Sequence, residues 1–220
     1  MIMVMAGDHS LGACSVAGVA TAFAERGQRI GLIWLDAHAD LNTPASSLSG
    51  NVHGMPVAHL LGEGDEAMRS LANPSPAMLD ANLVYIGLRD LDAAEVDSIT
   101  AKGILAFTMR DIDERGLVTV MREAIARASN GTTGIYVSCD ADWVDPSEAP
   151  GDWYTGQRRR DLSRGTFGYG DVVRLGEDGG HGYRRDQSGA GSRDQDGRVD
   201  GGVGGERTRE THVVMVSHAT

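Results

Sequence analysis

The chain has 220 residues, 41% of them apolar, and a formal net charge of −11 at pH 7. That length fits one domain with a sizeable core. The acidic balance argues against nucleic acid and against a membrane surface as partners, and no run approaches the ~18 apolar residues of a membrane span.

Residues 1–6 read as a short buried strand, too short and too poor in basic residues for a signal peptide, ending at Gly7-Asp8-His9-Ser10. An Ala-rich helix follows over 11–25, with Ser10 a candidate N-cap. The second strand, 29–35, runs into Asp36-Ala37-His38-Ala39-Asp40. Extended chain places residues i, i+2 and i+4 on one side, so Asp36, His38 and Asp40 are expected to point the same way. Residues 39–52 form a loop rich in Ser, Asn, Thr, Pro and Gly, long enough to suggest function. Helical patterns occupy 55–61 and 66–71. A third strand covers 82–88, a helix 91–102 and a short strand 104–107. One amphipathic helix is expected over 112–128, with Leu117, Val120, Met121 and Ile125 on its apolar stripe. The strand at 133–139 leads into Asp140-Ala141-Asp142.

Strands alternating with helices imply an α/β fold with a parallel sheet covered on both faces. Such sheets bind ligands at the carboxyl ends of their strands. Here those ends carry His9, then Asp36, His38 and Asp40, then Asp92, then Asp140 and Asp142. Carboxylates and imidazoles gathered in one place repel or desolvate one another unless a cation sits among them. Carboxylate and imidazole together suit Mn, Fe or Zn, carboxylate-rich sites lean toward Mn, and this many ligands can hold two divalent ions. No Gly-x-Gly-x-x-Gly turn follows the first strand, which disfavours a dinucleotide. Asp8 is expected to orient His9, His59 to lie on a helix surface, and Asp90 and Asp145 to fix loops or pair with arginines such as Arg89. Cys14 and Cys139 read as buried, reduced thiols of a cytoplasmic protein.

The averages hide a break near Pro150. Residues 1–150 hold 9 of the 20 Lys+Arg and 20 of the 31 Asp+Glu, whereas residues 151–220 hold 16 of the 30 glycines. This Gly/Arg/Asp-rich tail shows neither strand nor helix periodicity, and its one apolar cluster, at 213–216, is isolated. The expectation is an ordered domain over 1–150 and a tail over 151–220 that buries too little to order itself.

Taken together, the motifs resemble the ureohydrolases, and arginase in particular. The resemblance rests on Gly7-Asp8-His9-Ser10, Asp36-Ala37-His38-Ala39-Asp40, Ser49-Gly50-Asn51-Val52-His53-Gly54-Met55-Pro56 and Ser138-Cys139-Asp140-Ala141-Asp142-Trp143-Val144-Asp145-Pro146, with Tyr85-Ile86-Gly87-Leu88-Arg89-Asp90-Leu91-Asp92 between them. It implies a three-layer αβα fold, here partial, and a homo-oligomer. It also implies two Mn2+ ions, one held by His9, Asp36, Asp40 and Asp140 and the other by His38, Asp36, Asp140 and Asp142. A hydroxide between the ions would attack the guanidinium carbon of L-arginine, giving ornithine and urea. Asp40 would help move its proton, and His53 would act as proton shuttle. Asn42, Ser47 and Ser49 match positions that hold the α-carboxylate, Asp92 matches the acid paired with the α-amino group, and Glu95 lies at a neighbouring position. The alternatives are an agmatinase or another amidino-hydrolase, a non-catalytic metal-binding remnant and, more distantly, a metal-dependent deacetylase.

The resemblance covers residues 5–150 and then stops. The family's earlier strands are expected to be missing, as is a later strand end carrying a guanidinium-binding glutamate. Reading degenerate codons from the second base of the Asp152 codon permits Ile-Gly-Thr-Pro-Val-Ser-Gly-Gly-Val-Thr-Tyr-Arg-Glu, and further on Asp-Ile-Val-Glu-Ile-Asn-Pro. A one-base shift of reading frame after Pro150 is therefore the expected origin of the tail.

Overall fold

In the computed structural model, the structure describes residues 3–144 and 213–218. The domain boundary near Pro150, Asp145 and residues 151–212 of the stretch expected from a shifted reading frame lie outside these residues. In chain order the elements are β1 (Met3–Ala6), α1 (Leu11–Ala24), β2 (Ile30–Leu35), α2 (Pro56–Leu60), α3 (Glu66–Arg69), β3 (Leu83–Leu88), α4 (Ala93–Lys102), β4 (Leu105–Thr108), α5 (Met109–Arg115), α6 (Leu117–Ala128), β5 (Gly134–Cys139) and β6 (Val213–His218).

The sheet has six strands in the order β1-β6-β5-β2-β3-β4, and every neighbouring pair is parallel. Strands β2 and β3 are buried along their whole length, as near-continuous apolar runs require in a sheet covered on both faces. The strand period of two then divides the core. Leu32, Trp34, Leu83, Tyr85 and Tyr136 face one side, where they meet α1, α2 and α4. Ile33, Leu35, Val84, Ile86, Ile135 and Val137 face the other, under α5 and α6. This is the expected α/β architecture in three layers. Gly31 on β2 lets α6 approach closely: a Cβ there would lie 2.2 Å from the Ala128 carbonyl oxygen.

Four expectations need correction. The single helix over 112–128 is two helices, because Gly116 adopts φ 81°, a conformation that only glycine takes readily, and breaks the run. Cys14 is exposed and Cys139 half-buried; both are free thiols. His59 is only 3% exposed and so is not a surface histidine. The cluster at 213–216 is not isolated, since Val213–His218 forms β6 between β1 and β5, with Met215 in register with both Met3 and Val137. A slot between two parallel strands presents unpaired backbone groups on both sides, and a Val-rich segment suits it. Among the described residues, no helix is long and apolar enough to cross a membrane.

Candidate metal centre

Three strand ends make the same local turn. Ser10 N–H donates to Asp8 Oδ1 at 2.9 Å, His38 N–H to Asp36 Oδ1 at 2.8 Å, and Asp142 N–H to Asp140 Oδ1 at 3.0 Å. An Asp that accepts the N–H two residues on turns the chain and ends the strand. Asp36, His38 and Asp40 therefore converge through a turn rather than along extended chain, since β2 ends at Leu35. Asp40 adopts φ 50°, a left-handed conformation costing about 1–2 kcal/mol. Flanking bonds hold it there: Val57 N–H donates to the Asp40 carbonyl at 3.0 Å, and the Tyr85 hydroxyl to the Ala39 carbonyl at 2.8 Å.

All six expected ligands meet in one place. His9 Nδ1 lies 2.9 Å from Asp36 Oδ2, 2.9 Å from Asp40 Oδ2 and 3.0 Å from Asp140 Oδ2. His38 Nδ1 lies 2.9 Å from Asp142 Oδ2 and 3.5 Å from Asp36 Oδ1. Asp36 thus turns one oxygen toward each imidazole. Two groups have donor atoms mutually within 4.8 Å: His9, Asp36 and Asp140, and Asp36, His38 and Asp142. Asp36 is the carboxylate common to both, whereas the expected second role of Asp140 does not emerge from these groups.

The donor set fits divalent cations. A single imidazole nitrogen has one hydrogen-bonding direction, yet three carboxylate oxygens converge on His9 Nδ1. Ligand atoms about 2.1 Å from a small divalent ion and at right angles to one another lie about 3 Å apart, which is the separation found. The electrostatics agree. Burial opposes a cation on His9, but Asp140, Asp36 and Asp40 outweigh it and raise its pKa well above the ordinary value. His38 is pushed up to about 11, again against burial, by Asp142 and Asp36. Burial and the Asp36 charge push Asp40 up to about 8. The pocket gathers positive charge, as protons or as metal.

A cavity of about 380 Å3 opens over this floor. Asn42, Ser47, Ser49, His53, Asp92 and Glu95 are all in its wall. Ser47 Oγ accepts the Gly50 N–H at 2.9 Å and Ser49 Oγ the Asn51 N–H at 3.2 Å, so each hydroxyl proton remains to be donated. Asn42 donates from Nδ2 to Asp92 Oδ2 at 2.9 Å and accepts from Ser46 Oγ at 2.8 Å. Glu95 serves the backbone: its two oxygens accept from the N–H groups of Leu41 and Asp92, both at 3.0 Å. It braces the loop and the start of α4 while lining the cavity.

Some neighbours escaped the sequence reading. Ser138 Oγ lies 2.9 Å from His9 Nε2. Trp34 stacks on the His9 ring at 4.1 Å and donates to Asp36 Oδ2 at 2.9 Å. These two hold the His9 ring. Arg89 donates to the Asp142 carbonyl, while Asp90 lies 3.7 Å from His38 Nε2. Only the apolar, strand-like context of Ser138 and Trp34 was visible beforehand, and it reads as core.

Comparison with known proteins agrees with this geometry. The sequence model of the family described as "Arginase family" matches residues 1–157. The arginase of Brevibacillus brevis is 46% identical over 149 residues, covering 68% of this chain and 49% of that protein. The arginase of Bacillus subtilis is 40% identical over 149 residues, again covering 68% of this chain and 49% of that protein. The chain thus spans about half the length of the curated relatives it matches. Among solved structures, Bacillus caldovelox arginase superposes with a TM-score of 0.64 at 44% identity, over 68% of this chain and 48% of that one. Entamoeba histolytica arginase, in complex with L-ornithine, gives 0.71 at 26% identity over 98% of this chain and 61% of that one. Motif order, strand-end chemistry and these matches agree: the chain belongs to the arginase family.

Proposed function

We propose that the chain hydrolyses the guanidinium group of L-arginine to L-ornithine and urea with two bound Mn2+ ions. The observation that carries this reading is the pair of donor groups sharing Asp36 on the floor of a cavity walled by hydroxyl donors and acids. His9, Asp36, Asp40 and Asp140 would hold one ion, and His38, Asp36, Asp140 and Asp142 the other. Mixed carboxylate and imidazole ligands suit manganese. When bound, such a pair supplies Lewis-acid activation of water near neutral pH.

The side chains do the rest. Asn42, Ser47 and Ser49 hold the α-carboxylate, and Asp92 pairs with the α-ammonium. These contacts fix the guanidinium carbon over the floor, so that attack is effectively intramolecular. The Asp40 carboxylate accepts the proton of the attacking water. A carbon–oxygen bond forms, the bond from that carbon to the ornithine nitrogen breaks, and the departing amine takes up a proton. The His53 imidazole exchanges that proton with solvent.

Urea release from L-arginine and from agmatine, with Mn2+ present, tests this. Agmatine lacks the carboxylate that the serine loop would bind, so arginine should be the better substrate. Preferred hydrolysis of agmatine would overturn the substrate assignment. Tight Mn2+ uptake without urea from either would leave a metal-binding protein and remove the catalytic one.

A further inference from the structure

One exposed acid of the cavity faces the candidate proton shuttle. Asp8 lines the cavity. Its carboxylate is fixed at one end, where Oδ1 accepts the Ser10 N–H at 2.9 Å just before α1. Its other oxygen, Oδ2, lies 3.7 Å from His53 Nδ1. His53 belongs to a short helical turn, Val52–Gly54, whose Gly54 carbonyl accepts the Asn42 N–H at 3.0 Å. The two side chains are 57% and 41% exposed, so water reaches both.

We infer that Asp8 is a positioning residue for His53, holding the neutral imidazole as its Nδ1–H tautomer with Nε2 as the basic atom. A carboxylate facing one ring nitrogen of a histidine places the proton on that nitrogen and leaves the other to accept. A free imidazole in water favours the opposite tautomer. The anchored Oδ1 matters here, because a carboxylate held by a backbone N–H loses little further freedom on turning its second oxygen to the ring. Other charges share the cavity. Asp40 follows β2, Asp90 and Asp92 follow β3, Asp140 and Asp142 follow β5, Glu95 lies on α4, and His9 and His38 lie at the floor. Among the described residues, the acid that pairs with His53 is Asp8. The inference deepens the proposed hydrolysis, in which His53 moves a proton, but its first test does not depend on turnover.

That test is nitrogen NMR of the full chain loaded with a diamagnetic divalent ion, Zn2+, with His53→Gln used to assign the signals. Neutral His53 in the unmodified protein is expected as the Nδ1–H form. Asp8→Asn keeps an acceptor for the Ser10 N–H and removes the charge. It should move the ring toward the Nε2–H form. An Nε2–H tautomer in the unmodified protein overturns the inference, and so does an Nδ1–H tautomer that Asp8→Asn leaves in place. Absence of urea from the unmodified chain would count against the proposed hydrolysis alone, and the tautomer would still decide the role of Asp8.

Discussion

Asp36 is the residue on which both donor groups depend. It is 1% exposed and touches both imidazoles, and Trp34 fixes its Oδ2. Asp36→Asn should weaken Mn2+ binding at both positions together. The loss measured by calorimetry should exceed about 100-fold, beyond the 10–100-fold usual for a residue one contact removed from the metal. Ser138→Ala is the comparison, because it removes a partner of His9 Nε2 without touching a ligand atom. It should cost about 10-fold, mainly at the ion held by His9. If the two variants lose the same affinity, Asp36 is not shared. Ser49→Ala tests the opposite wall. Losing one hydrogen bond to a charged group, about 1.5–3 kcal/mol, should raise KM for arginine about 10-fold or more while leaving agmatine unaffected. The candidate ligands could be read from sequence because acids and histidines at successive strand ends have little other use. Ser138 and Trp34 could not, because a serine inside a strand and a large aromatic look like ordinary core until the fold brings them against His9.

At the scale of single elements, sequence pattern located every strand within 3–144, and its errors have local causes. Gly116 divided one expected helix in two. His59 was expected on a helix surface, but its neighbours in α2 are apolar and buried, and the chain beyond it covers the ring: a Cβ on Gly64 would lie 2.9 Å from His59 Cδ2. Neither ring nitrogen has a hydrogen-bond partner among the described residues. Burial lowers the His59 pKa below 6.5, while Asp65 acts weakly the other way. Between the folded and unfolded pKa values the unfolded chain binds more protons, so stability rises with pH there and is lost as pH falls below about 6.5. His59→Leu should flatten that slope and raise Tm at pH 5 more than at pH 8. Removing an unsatisfied buried group is worth about 1–3 kcal/mol, or roughly 2–12 °C for a chain of this length at 2–4 °C per kcal/mol. The difference between the two profiles isolates His59, since His9 and His38, with raised pKa values, act in the opposite sense. Equal shifts at both pH values would mean that His59 is not held neutral.

The whole molecule places β6 as a spacer beneath the candidate metal centre. His9 follows β1, and Ser138 and Asp140 lie at the end of β5, yet β1 and β5 are not neighbours. Neighbouring strands lie about 4.8 Å apart, so β6 holds the two strand ends two spacings, about 9.6 Å, from one another. Across that gap His9 reaches Asp140 at 3.0 Å and Ser138 at 2.9 Å. The sequence could not show this, because parallel pairing carries no local signal and β6 is separated from β5 by more than seventy residues of different composition. Ending the chain at residue 212 removes both ladders at once. Strands β1 and β5 then either close up, driving His9 into its partners, or present unpaired edges. Either outcome moves His9 relative to Asp36 and Asp140, whereas His38 and Asp142 depend on the direct β2–β5 pairing and keep their geometry. Calorimetry on the shortened chain should therefore show one Mn2+ position weakened by about 10-fold or more and the other nearly intact, the loss expected when support around a ligand is removed. Equal weakening at both positions would mean that β6 stabilises the sheet as a whole rather than spacing the His9 side of the site. Unchanged binding at both would remove it from the architecture of the centre.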